Sequence, residues 1–158
     1  MSIQHILVPV DYSDCSRESL RFAVGLAQKL QASLDVVHVW DRPSYVSDAL
    51  LVTHPDRSSG SLVDFIRNNA QRDMDQFLKE TELPSGFTVV GRLLEGDPAS
   101  SLLKELKSSN HDLVVVGTHG RTGLSRLLLG SVAEKLNRLS PVPVLTVPSS
   151  EARSLVRD

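Results

Sequence analysis

The stretch Gly117 to Ser131, GTHGRTGLSRLLLGS, carries most of the chemistry that this chain offers. Glycines stand at 117, 120, 123 and 130, and His119, Arg121 and Arg126 lie among them without any acidic residue. Glycines let backbone N–H groups approach a ligand closely. The start of a helix after such a loop adds unpaired N–H donors and the positive end of the helix dipole. These parts suit a phosphate cradle. They equally suit a long turn whose glycines serve the bends and whose Ser131 caps the helix, and spacing alone does not choose between the two. His119 reads first as a polar loop residue, second as a phosphate contact and last as a general base, because no carboxylate near it in sequence suggests a relay.

Other chemistries are poorly supplied. No Gly-Lys pair and no G-x-G occur, so neither a Walker A loop nor the dinucleotide fingerprint is present. Gly123-Leu124-Ser125 lacks the second glycine of a nucleophile elbow. The five histidines (5, 38, 54, 111 and 119) show no metal-ligand spacing, and Cys15 is the single cysteine. The sequence thus assigns no catalytic residue and no metal ligand. Cys15 precedes a helix, where thiols can be activated, but it reads more simply as a small packing residue.

The elements that must position the loop follow from hydrophobic periodicity. Ile6–Val10, Leu34–Val39, Leu113–Val116 and Val142–Val147 are nearly all apolar and β-branched, as buried strands require, and Phe87–Leu94 is a less apolar fifth. Leu20, Ala23, Val24, Ala27 and Leu30 share one helical face, and Leu62, Phe65, Ile66, Ala70, Met74, Phe77 and Leu78 share another. Asp97-Pro98 is a helix start, with aspartate as N-cap and proline at the first helical position. Ser131-Val132-Ala133-Glu134 reads as a capping box that opens the last helix. The order β-α-β-α-β-α-β-α-β predicts a mostly parallel sheet covered on both faces. Pro141, Pro143 and Pro148 put the last strand at the sheet edge, a place where a second subunit can pair.

In open parallel sheets, ligands sit beyond the carboxyl ends of the strands. The first strand ends in Val10-Asp11-Tyr12-Ser13, again polar and again opening a helix. If strands one and four are neighbours, Asp11 faces the Gly117 loop and can accept a hydrogen bond from a sugar hydroxyl or a base amino group. Its alternative role, capping the next helix, can be filled by Ser13 or Asp14.

The whole chain has 158 residues, the size of one domain. With 41% hydrophobic and 23% charged residues it is globular in composition, and its net charge of −2 argues against coating nucleic acid or an anionic membrane. A lone cysteine suits a reducing compartment, and no stretch reaches the ~18 apolar residues of a membrane helix. A cytoplasmic protein is expected. The stretch 40–60 is polar and proline-containing and reads as a surface excursion, and 149–158 as a loosely held tail.

Gly117-x2-Gly120-x9-Gly130-Ser131 resembles the ATP-binding motif of the universal stress protein family. ILVPVDYSD near the start, LVVVGTHGRTGLSRLLLGSVAEKL and then PVPVLTV resemble the flanks of that family over nearly the whole chain. The resemblance implies a Rossmann-like α/β domain over 1–148, an open five-stranded parallel sheet of order 3-2-1-4-5 with helices on both faces. It implies that Pro9, Asp11 and Val39 surround adenine and ribose. Gly117, Thr118, Gly120 and Arg121 follow the ribose and phosphates, and Gly130, Ser131 and Val132 hold the phosphate end. It further implies a homodimer formed through Val142–Val147.

The expected function is a dimeric, ATP-binding sensor or regulator in stress adaptation, with ATP, alone or with magnesium, as the cofactor. Alternatives are a nucleotide-free interaction scaffold, or a slow ATPase or autophosphorylating protein modified on Thr122 or Ser125. An adenylating enzyme needs a glycine-serine-rich loop after strand one, where Asp11-Tyr12-Ser13-Asp14 stands. A receiver domain needs an aspartate ending strand three and a lysine after strand five, where Leu94-Glu95 and Pro148 stand.

Overall fold

The computed structural model describes residues 2–41, 51–53, 59–84, 87, 89–120 and 129–149. Strand β1 (His5–Pro9) leads through helix α1 (Asp14–Leu30) to β2 (Ser33–Trp40). A two-stranded antiparallel ribbon of β3 (Leu51–Thr53) and β4 (Ser59–Ser61) precedes α2 (Leu62–Glu80). Then follow β5 (Gly91–Glu95), α3 (Pro98–Ser108), β6 (Leu113–Gly117), α4 (Ser131–Leu139) and β7 (Val144–Val147). The main sheet has five strands, all parallel, in the order β5-β2-β1-β6-β7. Counted along the main sheet alone, that is the expected 3-2-1-4-5.

Alternation along the strands decides which helix covers which face. Ile6, Val8, Val36 and Val115 turn to one side and pack with Leu20, Ala23, Val24 and Ala27 of α1 and with Met74 and Phe77 of α2. Leu7, Val37, Val114 and Val116 turn to the other and meet Leu102 and Leu106 of α3 and Ala133 and Leu136 of α4. Ile6, Leu7 and Val8 are fully buried, as a central parallel strand covered on both faces must be. Trp40 ends β2 buried against Val63, so the chain leaves the sheet one residue later than the polar stretch 40–60 suggested.

Caps fix the helix ends. Ser13 accepts from the Ser16 N–H (3.2 Å) and Asp97 from the Ser100 N–H (3.0 Å), with Pro98 in the first helical turn as expected. The third main-sheet strand begins later than the expected Phe87, at Gly91. The Phe87 N–H donates to the Pro84 carbonyl (3.2 Å) rather than to a sheet partner, and β2 has partners for β5 only from Val36 to Trp40. The last strand starts at Val144 rather than Val142. Ser140 Oγ accepts from the Val142 N–H and donates to the Val142 carbonyl, a tight turn that ends just before Pro143. This strand lies at the sheet edge, and Pro143 and Pro148 flank it rather than stand within it, so no ladder donor is lost.

Candidate functional site

After β1 the chain moves outward through β2 to β5, then returns to the other side of β1 for β6 and β7. That reversal opens a crevice at the carboxyl ends of β1 and β6. A cavity of about 270 Å³ lies there. Pro9, Val10 and Asp11 line it from the end of β1, Val37, His38 and Val39 from β2, and Val116 and Gly117 from β6. His119 and Gly120 follow, Gly130 to Ala133 form the start of α4, and Pro98 and Leu102 of α3 with Ser16 of α1 close the wall. Of the residues expected from the sequence, Pro9, Asp11, Val39, Gly117, Gly120, Gly130, Ser131 and Val132 are brought together on this cavity. Arg121 lies outside the described residues, as do Thr122, Ser125 and Arg126.

The start of α4 differs from the capping box that the sequence suggested. Gly130 is the N-cap, Ser131 is the first helical residue, and no side chain bonds the cap. The cause is a backbone bond, Gly130 N–H to the Thr118 carbonyl at 2.7 Å, which ties the end of the glycine loop to the end of β6. The first helical bond runs from the Glu134 N–H to the Gly130 carbonyl (2.8 Å). The N–H groups of Ser131, Val132 and Ala133 therefore have no acceptor within the helix. All three residues line the cavity. A Cβ on Gly130 would stand 3.3 Å from the Thr118 carbonyl, so glycine keeps this closure tight.

Thr118 does not line the cavity; it holds the loop. Its N–H donates to the Val147 carbonyl (3.0 Å), and its hydroxyl meets His119 Nδ1 at 2.9 Å and Cys15 Sγ at 3.9 Å. Cys15 is buried and donates to the Val147 carbonyl (3.6 Å), which fits the packing role rather than that of a presented thiol. Gly117 is needed for the same junction, because a Cβ there would meet Cys15 Sγ at 2.9 Å and its carbonyl oxygen at 3.0 Å.

Across the crevice, Asp11 Oδ1 accepts from the Ser13 N–H (3.1 Å) and hydroxyl (2.5 Å). Ser13 caps α1 with its own oxygen, so Asp11 is not the cap and its carboxylate belongs to the cavity wall. A Cβ on Gly120 would come within 2.7 Å of Asp11 Oδ2. Only a glycine permits so close an approach between the two strand ends.

Tyr12, with φ of 67°, makes the sharp bend that separates Asp11 from α1. Such a conformation costs a non-glycine residue about 1 kcal/mol or more. The Tyr12 hydroxyl donates to the Ala70 carbonyl (3.1 Å), and its ring stacks on His38 with centroids 4.1 Å apart. His38 Nδ1 in turn donates to the Val10 carbonyl (2.8 Å). His38, Val37, Pro98 and Leu102 were not singled out in the sequence as site residues. Alternation from Val39 could have supplied Val37, and the Asp97-Pro98 helix start could have supplied Pro98. A single histidine inside an apolar strand carries no comparable signal.

The charged network elsewhere is structural. At the opposite end of β2, Arg92 pairs with Asp35 through two nitrogens and with Glu105 at 2.7 Å. His111 joins them from the loop before β6, with Nε2 3.2 Å from Asp35 and Nδ1 2.5 Å from the Ser109 hydroxyl. Burial alone raises the pKa of Asp35, but hydrogen bonds and charge from Arg92 and His111 prevail and hold its carboxyl below the ordinary value. The same pairing, chiefly the hydrogen bond that Arg92 donates to Asp35, raises the pKa of Arg92. Among the described residues, no group of three or more His, Cys, Asp or Glu side chains is placed to hold a metal ion.

A profile of the family described as "Universal stress protein family" matches residues 2–148. This chain belongs to the universal stress protein family. It is 34% identical to the universal stress protein YxiE of Bacillus subtilis over 147 residues, 90% of this chain and 97% of that one. Universal stress protein UspA from Lactobacillus plantarum superposes with a TM-score of 0.67 at 28% identity, covering 93% and 99% of the two chains. A universal stress protein solved in complex with cAMP superposes with a TM-score of 0.62 at 23% identity, over 95% of this chain and all of that one, and shows the shared fold. Among the described residues, no helix is long and apolar enough to cross a membrane.

Proposed function

We propose that this universal stress protein is a cytoplasmic, dimeric binder of ATP whose occupancy serves as a signal in stress adaptation. One observation carries the reading: the uncapped N-terminus of α4 opens into the cavity that Asp11 and Gly120 share. Three backbone donors with no helical acceptor, joined to the helix dipole, favour an anion at that end. At the other end Asp11 offers a carboxylate to a sugar hydroxyl or an amino group, and Pro9, Val37 and Val39 offer apolar walls to a base. A nucleotide has this polarity, apolar and hydroxylated at one end and anionic at the other.

The site suits binding better than turnover. Phosphoryl transfer needs metal carboxylates, a positioned nucleophile and charge clamps, and Asp11 is the single carboxylate among the described lining residues. Magnesium, where it accompanies ATP, would be held mainly through phosphate oxygens and water. The dimer reading rests on β7, an edge strand with no described partner on its outer side. The buried, unpaired Cys15 supports a reducing compartment.

The test is calorimetric titration of nucleotide-stripped protein with ATP and magnesium, with AMP and cAMP as comparisons. Binding of ATP that exceeds binding of AMP is expected, because AMP leaves part of the α4 donor set unfilled. A folded protein that gives no heat with any of the three would turn the reading to a nucleotide-free interaction module.

A further inference from the structure

Asp11 supplies the single carboxylate among the described lining residues of the cavity. Such a group serves a ligand best when its direction is fixed before the ligand arrives. The bonds from Ser13 hold its Oδ1, but β1 ends at Pro9, two residues earlier, so regular strand pairing does not reach the backbone that carries it.

His38 restrains that backbone from both sides. Val10, the residue before Asp11, donates its N–H to the Val37 carbonyl and accepts a hydrogen bond from His38 Nδ1, each at 2.8 Å. A carbonyl only accepts, so the hydrogen of this contact sits on Nδ1. Tyr12, the residue after Asp11, stacks its ring on the same imidazole, with centroids 4.1 Å apart and planes inclined by 26°. One side chain thus grips both neighbours of the cavity carboxylate. Tyr12 needs the grip. Its φ of 67° is left-handed, and a residue with a side chain stays there only where its surroundings over-determine it. Further restraint comes from α2, whose Ala70 carbonyl accepts from the Tyr12 hydroxyl (3.1 Å) and whose Phe77 ring lies 5.5 Å from that of Tyr12. No residue of α2 is among the described lining residues, so this helix bears on the cavity through Tyr12 and His38.

We propose that His38 is a positioning residue for Asp11. By bonding Val10 and stacking on Tyr12, it aims the carboxylate at the sugar and base end of a bound nucleotide, and it contributes nothing at the phosphate end, which α4 builds. This rests on the reading that the cavity takes a nucleotide.

Calorimetry of the wild-type chain, His38→Asn and His38→Phe with ATP, adenosine and inorganic tripolyphosphate tests it. The asparagine amide keeps a donor for the Val10 carbonyl and loses the stack, while the phenylalanine ring keeps the stack and loses the donor. Both variants should bind ATP and adenosine roughly 10-fold more weakly, the lower end of what a hydrogen bond to a charged group is worth, with tripolyphosphate unchanged. His38 itself lines the cavity, and a cycle with Asp11→Ala separates positioning from a direct touch on the ligand. In that background, replacing His38 should change ATP affinity by roughly 2-fold or less. An undiminished loss there overturns the proposal, because His38 then acts without the carboxylate. An equal loss for tripolyphosphate overturns it as well, being the mark of a general loosening. A wild type that binds neither ATP nor adenosine overturns the nucleotide reading, whereas variants that bind both as tightly as the wild type overturn the positioning role alone. Nitrogen-15 spectra of the wild-type imidazoles check the premise without any variant. Nδ1 of His38 should carry a hydrogen, and a bare Nδ1 refutes the bond to Val10.

Discussion

Replacing Gly120 with alanine tests the site at its narrowest point. The added Cβ would stand 2.7 Å from Asp11 Oδ2, closer than real side chains tolerate. Asp11 cannot swing away cheaply, because its other oxygen is held by the Ser13 N–H and hydroxyl. Either the carboxylate leaves its place on the cavity wall or the loop retreats from the first strand. In both cases a ligand loses a hydrogen bond to a charged group, worth about 1.5–3 kcal/mol. At 1.4 kcal/mol per decade, ATP affinity should fall roughly 10- to 100-fold. Loss of the Ser13 contacts should cost about 1 kcal/mol of stability, or roughly 2–4 °C in melting temperature for a chain of this size. The decisive assay is a double-mutant cycle by calorimetry. In an Asp11→Ala background the clash is gone, so Gly120→Ala should cost little there. An undiminished loss in that background, or unchanged affinity in the single variant, would refute the clash as the cause.

Two further outcomes are expected elsewhere in the fold. Asp35→Asn should lower stability by about 1 kcal/mol at neutral pH, a modest figure because Arg92 is 43% exposed. The Asp35 pKa is depressed in the fold, so its contribution is present above about pH 4, the unfolded value. It is lost as pH falls through the folded value, and melting curves of the two proteins should converge below pH 4. A gap that persists or widens in acid would mean that the ion pair is not its source. At the sheet edge, Pro143 and Val147 turn their carbonyls to β6, so the alternate residues Val144 and Thr146 turn their backbone groups outward. Thr146→Pro removes an outward N–H without touching the inner ladder and should halve the mass seen by light scattering. A dimer that survives this change lies on another face.

Strand and helix order were legible in the sequence because each element is buried on a fixed period. Ile6 to Val8 admit no polar residue since helices cover both faces of β1. The prolines around Val142 to Val147 announced an edge because they cannot donate to a ladder. Glycine spacing from 117 to 130 was legible because glycine marks positions where the backbone can come close to a partner. What stands against each glycine was not legible. Gly117 meets Cys15 and Gly120 meets Asp11, residues more than a hundred positions away, and only the pairing of β1 with β6 brings them together. The cap of α4 was misread in sequence because Ser-x-x-Glu fits a capping box, whereas the tertiary bond from Gly130 to Thr118 starts the helix one residue earlier. His38 and His119 look like ordinary polar residues in sequence. Their standing on the cavity depends on β2 and β6 lying beside β1, and His38 is further held by the Tyr12 ring, contacts that exist only once the sheet has closed. Local periodicity and steric need determined the architecture, while the direction of each donor and acceptor was decided by neighbours distant in the chain.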